Sequence, residues 1–89
     1  MNITLNDNEI SIIREGIIIE KNIIDMGIKE YKKELEEYEE RHKMTSEEFI
    51  RRYNDGELGD EEKWFDWLLA YKAFNHLTER ERLIKGINI

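Results

Sequence analysis

The chain has 89 residues, of which 39% are charged, and it has a formal net charge of −7 and no cysteine. This length gives a single domain, 1–89, which is only marginally stable without outside support. Because disulfides and cysteine-based zinc sites are excluded, we expect that support to come from oligomerisation or a permanent partner. The acidic balance argues against nucleic-acid binding through the bulk surface and suits a basic partner.

Two features concern the location of the chain. The N-terminal stretch MNITLNDNE lacks the positive region and following apolar run of a signal peptide. The apolar segment 10–28 is interrupted by charged and amide side chains, so it does not have the character of a membrane span. We therefore expect a cytoplasmic protein without membrane contact.

Residues 1–21 allow two interpretations. As strands, EISII and IIIEK would flank a three-residue hairpin loop, Arg14–Gly16, with glycine where a left-handed residue is needed. As a helix reaching back to about residue 8, the segment would continue the register of the helix predicted over 22–43, which favours this interpretation. That helix would carry isoleucines on two opposite faces, Ile10, Ile13 and Ile17 on one and Ile12 and Ile19 on the other.

Residues 22–43 are the clearest element, an amphipathic helix. Apolar residues recur there at alternating spacings of four and three, which is a coiled-coil-like pattern, and Asn22 is a candidate cap. The other faces carry Lys and Glu four residues apart, so they are expected to be solvated. We expect the apolar seam to join two copies of the chain in a homodimer through Ile17, Ile24, Ile28, Tyr31, Leu35 and Tyr38.

A short helix is predicted over residues 46–54 and a third over 61–83. Thr45 and Glu48 fit a capping box at the start of the short helix, and Gly56 fits a left-handed cap at its end. Asp60 is the predicted N-cap of the third helix. The fold prediction is therefore all-α, a helical hairpin or bundle completed by dimerisation, with the tail 85–89 mobile or paired with a partner.

Patterns that would support catalysis are weak. The serines lack a Ser-His-Asp context, and the glycines at 56 and 59 are followed by acidic residues that would repel phosphate. Glu39 and His42 have the Glu-x-x-His spacing of di-metal carboxylate bundles, but a second copy of the motif would have to come from a dimer. We interpret His42 instead as a partly cationic ring at a helix C-terminus. We expect no enzymatic activity, cofactor or metal.

The third helix has a surplus of large rings for so small a domain. Most are expected to be core, packed against Tyr31, Leu35 and Tyr38. Some rings should nevertheless face another chain, since Trp and Tyr are typical interface anchors, and the acidic turn before them suits a basic partner. The predicted partner-binding residues are Glu57, Leu58, Asp60, Glu61, Trp64, Phe65, Trp67 and Tyr71.

The segment EYEERHKMTSEEFIRRYNDGELGDEEKWFDWLLAYKAF resembles a group of small, mostly archaeal proteins. Their layout is E-[YF]-E-x-[RK]-[YH]-x-M-[ST]-S-E-E-F, a helix, x-G-E-L-G-D and an acidic-aromatic F/W-x-W helix. The matching positions are Glu37, Tyr38, Glu39, Met44, Thr45, Ser46, Glu47, Glu48, Phe49, Gly56, Glu57, Leu58, Gly59, Asp60, Trp64, Phe65 and Trp67.

These proteins are commonly taken as antitoxin-like partners of small toxins in two-gene modules. The resemblance, which covers about residues 30–77, implies that this chain neutralises a toxin by stoichiometric binding. The residues themselves leave two alternatives open. One is a stand-alone helical dimerisation module with a structural or regulatory role, and the other is a metal-binding bundle that uses Glu39 and His42 across a dimer axis.

Overall fold

A computed structural model describes residues 3–88 of the chain, and within that range all regular secondary structure is helical. Helix α1 covers Asp7–His42, α2 covers Ser46–Asn54, and α3 covers Phe65–Lys85 after a single 3-10 turn at Glu62–Trp64. The predicted all-α fold, with one long helix, one short helix and a third helix, is confirmed.

Helix α1 begins at a capping box. Asn6 Oδ1 accepts the amide of Glu9 at 2.8 Å, and the Glu9 carboxylate accepts the amide of Asn6 at 3.1 Å. The helix runs through Arg14–Gly16 without a break, so the hairpin alternative is wrong, and Asn22 lies inside the helix instead of capping it. Because the inner isoleucines pack on α3, tertiary contacts outweigh their β preference and the cost of about 1 kcal/mol for a helical glycine.

A sharp turn connects α1 to α2. Lys43 lies in the left-handed region with φ 55° and ψ 40°, a conformation that costs a non-glycine residue roughly 1–2 kcal/mol. Thr45 then caps α2, and its hydroxyl accepts the amide of Glu48 at 3.1 Å. The carboxylate of Glu48 binds Arg52 at 2.8 Å instead of turning back to Thr45. Of the predicted capping box, the structure therefore has the hydrogen bond to the Thr45 hydroxyl.

The end of α2 is a Schellman motif. Gly56 has φ 77°, and its amide and that of Glu57 donate at 3.1 and 3.0 Å to carbonyls in the last turn. The predicted left-handed cap is therefore confirmed. The prediction for Asp60 is wrong, because helical structure resumes with the 3-10 turn, whose N-cap residue Glu61 makes no side-chain cap hydrogen bond.

Helix α3 runs antiparallel to α1. Near one end of the pair Trp67 stacks on Tyr38 with ring centroids 5.6 Å apart, and towards the other end Arg80 donates to Glu20 at 2.7 Å. Helix α2 contacts both long helices. The result is an elongated hairpin of 56 × 27 × 19 Å with most of its core gathered at the α2 end.

The chain termini extend past the helices. Helix α3 ends at Lys85, slightly later than predicted, and residues 86–88 are outside any helix. Part of the predicted mobile tail is therefore helical. Ile89 at the end of that tail, like residues 1–2 of the uncertain N-terminal segment, lies outside the described residues.

Candidate functional site

The core of the molecule is an aromatic cluster centred on Trp67. Its ring stacks on Phe49 of α2 with centroids 4.0 Å apart and 3° between the planes. It also stacks on two rings of α1, Tyr38 at 5.6 Å and His42 at 5.3 Å. Trp67 therefore joins all three helices, and such aromatic pairs each contribute about 0.5–1.5 kcal/mol beyond the area they bury.

Polar contacts fix the orientation of this cluster. Trp67 Nε1 donates to Ser46 Oγ at 3.0 Å, and the amide of Ser46 donates to the Glu39 carboxylate at 2.7 Å. Ser46 is buried, so leaving either group unpaired would cost about 1–3 kcal/mol. The Glu39 carboxylate also lies at the positive end of the α2 dipole. Glu39 and Ser46 thus act in packing the three helices.

His42 lies against the two tryptophans. Its ring centroid is 5.0 Å from that of Trp64 and 5.3 Å from that of Trp67. Loss of hydration lowers the pKa of His42 below its usual value of 6.5, and the charges of Arg41 and Lys63 lower this pKa further. The shift disfavours the cationic form of the ring, contrary to the expectation of a partly cationic ring.

The loop 55–62, here called the acidic loop, is anchored beside this core. Trp64 Nε1 donates to the carbonyl of Leu58 at 3.1 Å. The ammonium group of Lys63 lies 4.8 Å from the centre of the Trp64 ring and 3.0 Å from the Glu61 carboxylate. The acidic residues of the loop are exposed to solvent, and they are Asp55, Glu57, Asp60, Glu61 and Glu62.

The residues predicted to bind a partner divide into two groups. Trp64 and Trp67 are 7% and 0% exposed, so these two of the predicted partner-binding residues are buried in the core. Both indoles are needed to fill the core that α2 closes over the helix pair. The others remain accessible: Phe65 is exposed, Tyr71 and Leu58 are half-buried, and Glu57, Asp60 and Glu61 are exposed.

The predicted dimer seam faces α3 of the same chain. Ile24 and Leu35 are buried, and the other seam residues are half-buried along the same face, at Ile17, Ile28, Tyr31 and Tyr38. In the structure the seam is therefore covered by α3 of the same chain, in the place where a second copy was predicted. Heptad spacing shows that a helix face is covered, but it does not distinguish a helix of the same chain from one of another chain.

A groove opens between α2 and α3, with a cavity volume of about 330 Å³. Its apolar lining comes from Ile50 and Tyr53 on α2 and from Leu68 and Tyr71 on α3, and its polar lining is Asn54, Lys72 and Asn75. We call it the α2–α3 groove. Of these residues only Tyr71 was predicted as a site residue. The available signal was the spacing of three between the two apolar residues on each helix, which puts each pair on one helix face.

Two further exposed apolar side chains lie on α3, about a quarter of a turn around the helix from the residues that line the groove. Phe65 is 44% exposed and Leu69 is 62% exposed, and they are one helical turn apart. Phe65 follows directly on the 3-10 turn that closes the acidic loop. The acidic loop therefore connects Asn54 of the groove to the 3-10 turn and Phe65, and Leu69 neighbours Leu68 of the groove in sequence. A groove for an apolar anchor with a charged rim is the usual chemistry of protein recognition.

The Glu39–His42 pair has a packing explanation in this fold. The Glu39 carboxylate is directed to the amide of Ser46, while the His42 ring is directed to the tryptophans. Within residues 3–88 no group of three or more His, Asp or Glu side chains is placed to hold a metal ion.

None of the helices in the described part of the chain has the length and apolar character required to cross a membrane. Comparison of the chain with protein families, with curated proteins and with solved structures found no match. Its function is therefore inferred from the groove, the exposed apolar side chains and the acidic loop.

Proposed function

We propose that this chain is a non-enzymatic, antitoxin-like protein of the cytoplasm that binds a small basic toxin and neutralises it. Binding takes place at the α2–α3 groove and the acidic loop. The observation that carries the proposal is an apolar groove next to an exposed acidic loop, with exposed Phe65 and Leu69 on the neighbouring face of α3. The resemblance of about residues 30–77 to antitoxin-like proteins supports the same role.

The groove supplies affinity in this proposal. An apolar side chain of the partner that enters between Tyr53 and Tyr71 gains about 1.5–3 kcal/mol from burial. Phe65 and Leu69 lose their exposure at the same time, which adds to the apolar area removed from water. A few such anchors carry most of the binding energy in protein interfaces, and the surrounding contacts mainly exclude water.

The acidic loop supplies selectivity and speed. Its exposed carboxylates attract a basic surface, and the net charge of −7 steers such a partner from a distance. Trp64 holds the loop through its hydrogen bond to the Leu58 carbonyl, so the charges are presented from a fixed backbone. Because exposed charges are screened by salt, the association rate should fall as ionic strength increases.

Co-expression with the product of the neighbouring open reading frame tests the proposal. We expect the pair to purify as a stoichiometric complex and this chain to relieve a growth defect caused by the other protein. The Leu69→Asp variant should lose both effects, because it places a carboxylate beside the groove. Leu83→Asp is the matched control, since Leu83 is also an exposed leucine of α3, 55% exposed. If neither complex nor rescue is found with the wild-type chain, the antitoxin proposal is wrong.

One observation favours a second candidate, a stand-alone helical dimerisation module with a structural or regulatory role. The N-terminal half of α1 has an exposed apolar face remote from the groove, formed by Ile12, Ile19, Ile23 and Met26. Self-association without any complex with the neighbouring gene product would support this candidate over the antitoxin role. Elemental analysis of the purified protein addresses the remaining alternative, a metal-binding bundle, which would require metal to co-purify.

A further inference from the structure

Helix α1 has a second apolar face, on the side roughly opposite to α3. Ile12, Ile19, Ile23 and Met26 are each 59–68% exposed. Together with Gly16 they recur at spacings of four and three, over about 21 Å of helix axis. We call these five residues the outer stripe. The spacing is that of a coiled-coil contact, and it ends at Met26, because the next positions on this face are charged.

The total surface of the chain is larger than that of a compact monomer. The chain exposes 7,049 Å², whereas the relation between surface and mass gives roughly 5,500 Å² for a compact protein of this size. The radius of gyration is 18.3 Å, against roughly 12 Å for a compact domain of this length. The excess of roughly 1,500 Å² is spread over an elongated molecule, and the outer stripe is one of the faces that this shape leaves uncovered.

We propose that two copies of this chain pair through their outer stripes, antiparallel and centred on Ile19. Such a pairing places Ile12 of one copy opposite Met26 of the other, and it places the two Ile19 side chains opposite each other at the dyad. Each Ile23 then lies near Gly16 of the second copy, offset by about 1.5 Å along the helix axis. A large side chain meets a glycine there, and the space in which a Gly16 side chain would lie is open, because no atom outside the adjoining helix backbone lies within 4 Å.

Charge favours the antiparallel arrangement over the parallel one. Two copies, each with a net charge of −7, repel each other. The acidic loop is anchored beside His42. Helix α1 extends about 35 Å from Ile19 to His42. Antiparallel pairing therefore directs the two acidic loops to opposite ends, far beyond the Debye length of about 8 Å at physiological salt. Parallel pairing would bring the two loops to the same end.

The outer stripe fits a second copy better than it fits the proposed basic partner. That partner is recognised at the other end of the molecule, by the acidic loop. A small protein bound there does not cover the centre of the stripe, Ile19, which lies about 35 Å away along the helix axis. The dimer goes beyond the proposed function: it uses a different surface and would present two partner-binding ends. Either proposal can fail without the other.

Sedimentation equilibrium of the full chain tests the pairing. We expect twice the monomer mass in the wild type and a shift towards monomer on dilution. Ile19→Asp places two carboxylates at the dyad and removes two buried isoleucines, which should weaken self-association by about 100-fold or more. Leu69→Asp, a matched change on the groove, should leave the dimer unchanged. A single-chain mass for the wild type, or a dimer that survives Ile19→Asp, overturns the proposal.

Cysteine cross-linking tests the direction and does not depend on a destabilising variant. The chain has no cysteine of its own. We expect Ile19→Cys to form a disulfide-linked dimer, and an equimolar mixture of Ile12→Cys and Met26→Cys to form the mixed dimer in excess over either homodimer. Preferential Ile12→Cys homodimers would overturn the antiparallel arrangement. Absence of cross-links in all three variants would overturn the pairing itself.

Ionic strength separates this proposal from the proposed function. The pairing of two copies of equal charge should strengthen as salt increases, whereas binding of a basic toxin should weaken. A dimer that dissociates on addition of salt would contradict pairing through an apolar stripe. If the chain is monomeric and Ile19→Asp weakens the complex with the toxin, the stripe belongs to that partner and the dimer is excluded.

Discussion

Trp67 and Ser46 are 21 residues apart in sequence and are joined by a buried hydrogen bond of 3.0 Å from the indole N–H to the serine hydroxyl. Ser46 is also the first residue of α2, and its amide is bound by Glu39 of α1. One serine therefore connects all three helices. Its two hydrogen bonds hold α2 against the aromatic cluster at this end of the hairpin.

Replacing Ser46 with alanine should lower the free energy of unfolding by about 1–3 kcal/mol. The change removes the acceptor of the Trp67 indole and leaves a buried donor unpaired. Urea unfolding followed by tryptophan fluorescence, at one protein concentration, measures the loss. Ser11→Ala is the control, because Ser11 lies on the exposed side of α1 and its loss should cost less than about 0.5 kcal/mol. Equal effects would show that the Ser46 bond contributes nothing.

Trp67→Ala should be the most damaging of these substitutions. The fully buried ring contacts Phe49, Tyr38 and His42, and truncation of a buried Trp costs about 3–5 kcal/mol. We expect the variant to unfold at much lower urea or to fail to fold, as measured by circular dichroism. Lys33→Ala, on the exposed side of α1, should change stability little. Comparable losses in both variants would contradict a core centred on Trp67.

Lys43→Gly should stabilise the protein by about 0.5–1 kcal/mol, because glycine adopts the left-handed backbone of the α1–α2 turn without the cost that a side chain brings. Lys32→Gly is the matched control within the helix. There the same change should destabilise by about 1 kcal/mol through helix propensity. Thermal or urea unfolding measures both. Changes of the same sign at the two positions would show that the turn geometry is not the cause.

The pKa of His42 should lie below 6.5, because burial against the tryptophans and the charges of Arg41 and Lys63 disfavour the cationic ring. Proton NMR titration of a His76→Gln variant, which retains His42 as its one histidine, measures it directly. A midpoint at or above 6.5 would mean that the ring is solvated or paired with an acid.

The same shift has a consequence for stability. Since the folded pKa is depressed, the unfolded chain binds more protons between the two pKa values, so stability falls as pH decreases below 6.5. The full contribution is present above that pH. A His42→Gln variant lacks this pH-dependent contribution to the free energy of unfolding. The difference in unfolding free energy between wild type and variant should therefore narrow from about pH 7 to about pH 5. A constant difference over that range would contradict the assignment.

Local signals predicted much of the fold. Thr45 and Gly56 bound α2 where they were expected, because a side-chain cap and a left-handed glycine depend on a few neighbouring residues. The continuation of the helix through residues 1–21 could not be decided locally. Isoleucine favours strands, and the outcome depended on Asn6 capping the helix and on α3 covering its inner face.

The candidate site was predicted only in part. The acidic residues and Phe65 were expected to be accessible and they are, since charge and position next to a turn keep side chains at the surface. Trp64 and Trp67 were predicted to bind a partner as well, and the structure buries both. A ring on a helix is equally suited to a core or an interface, so composition does not separate the two cases. The α2–α3 groove forms only when α2 packs on α3, so the sequence of either segment alone does not predict it.

By itself, the sequence determined the class of fold, the ends of the short helix and the acidic, cysteine-free character of the surface, because these follow from spacing, caps and charge within a few residues. Only the tertiary structure decided which helix covers the apolar seam of α1, which tryptophans are core and which apolar faces remain open. Those outcomes depend on contacts between residues far apart in the chain, such as Ser46 with Trp67 and Glu20 with Arg80, and they form only when the helices pack.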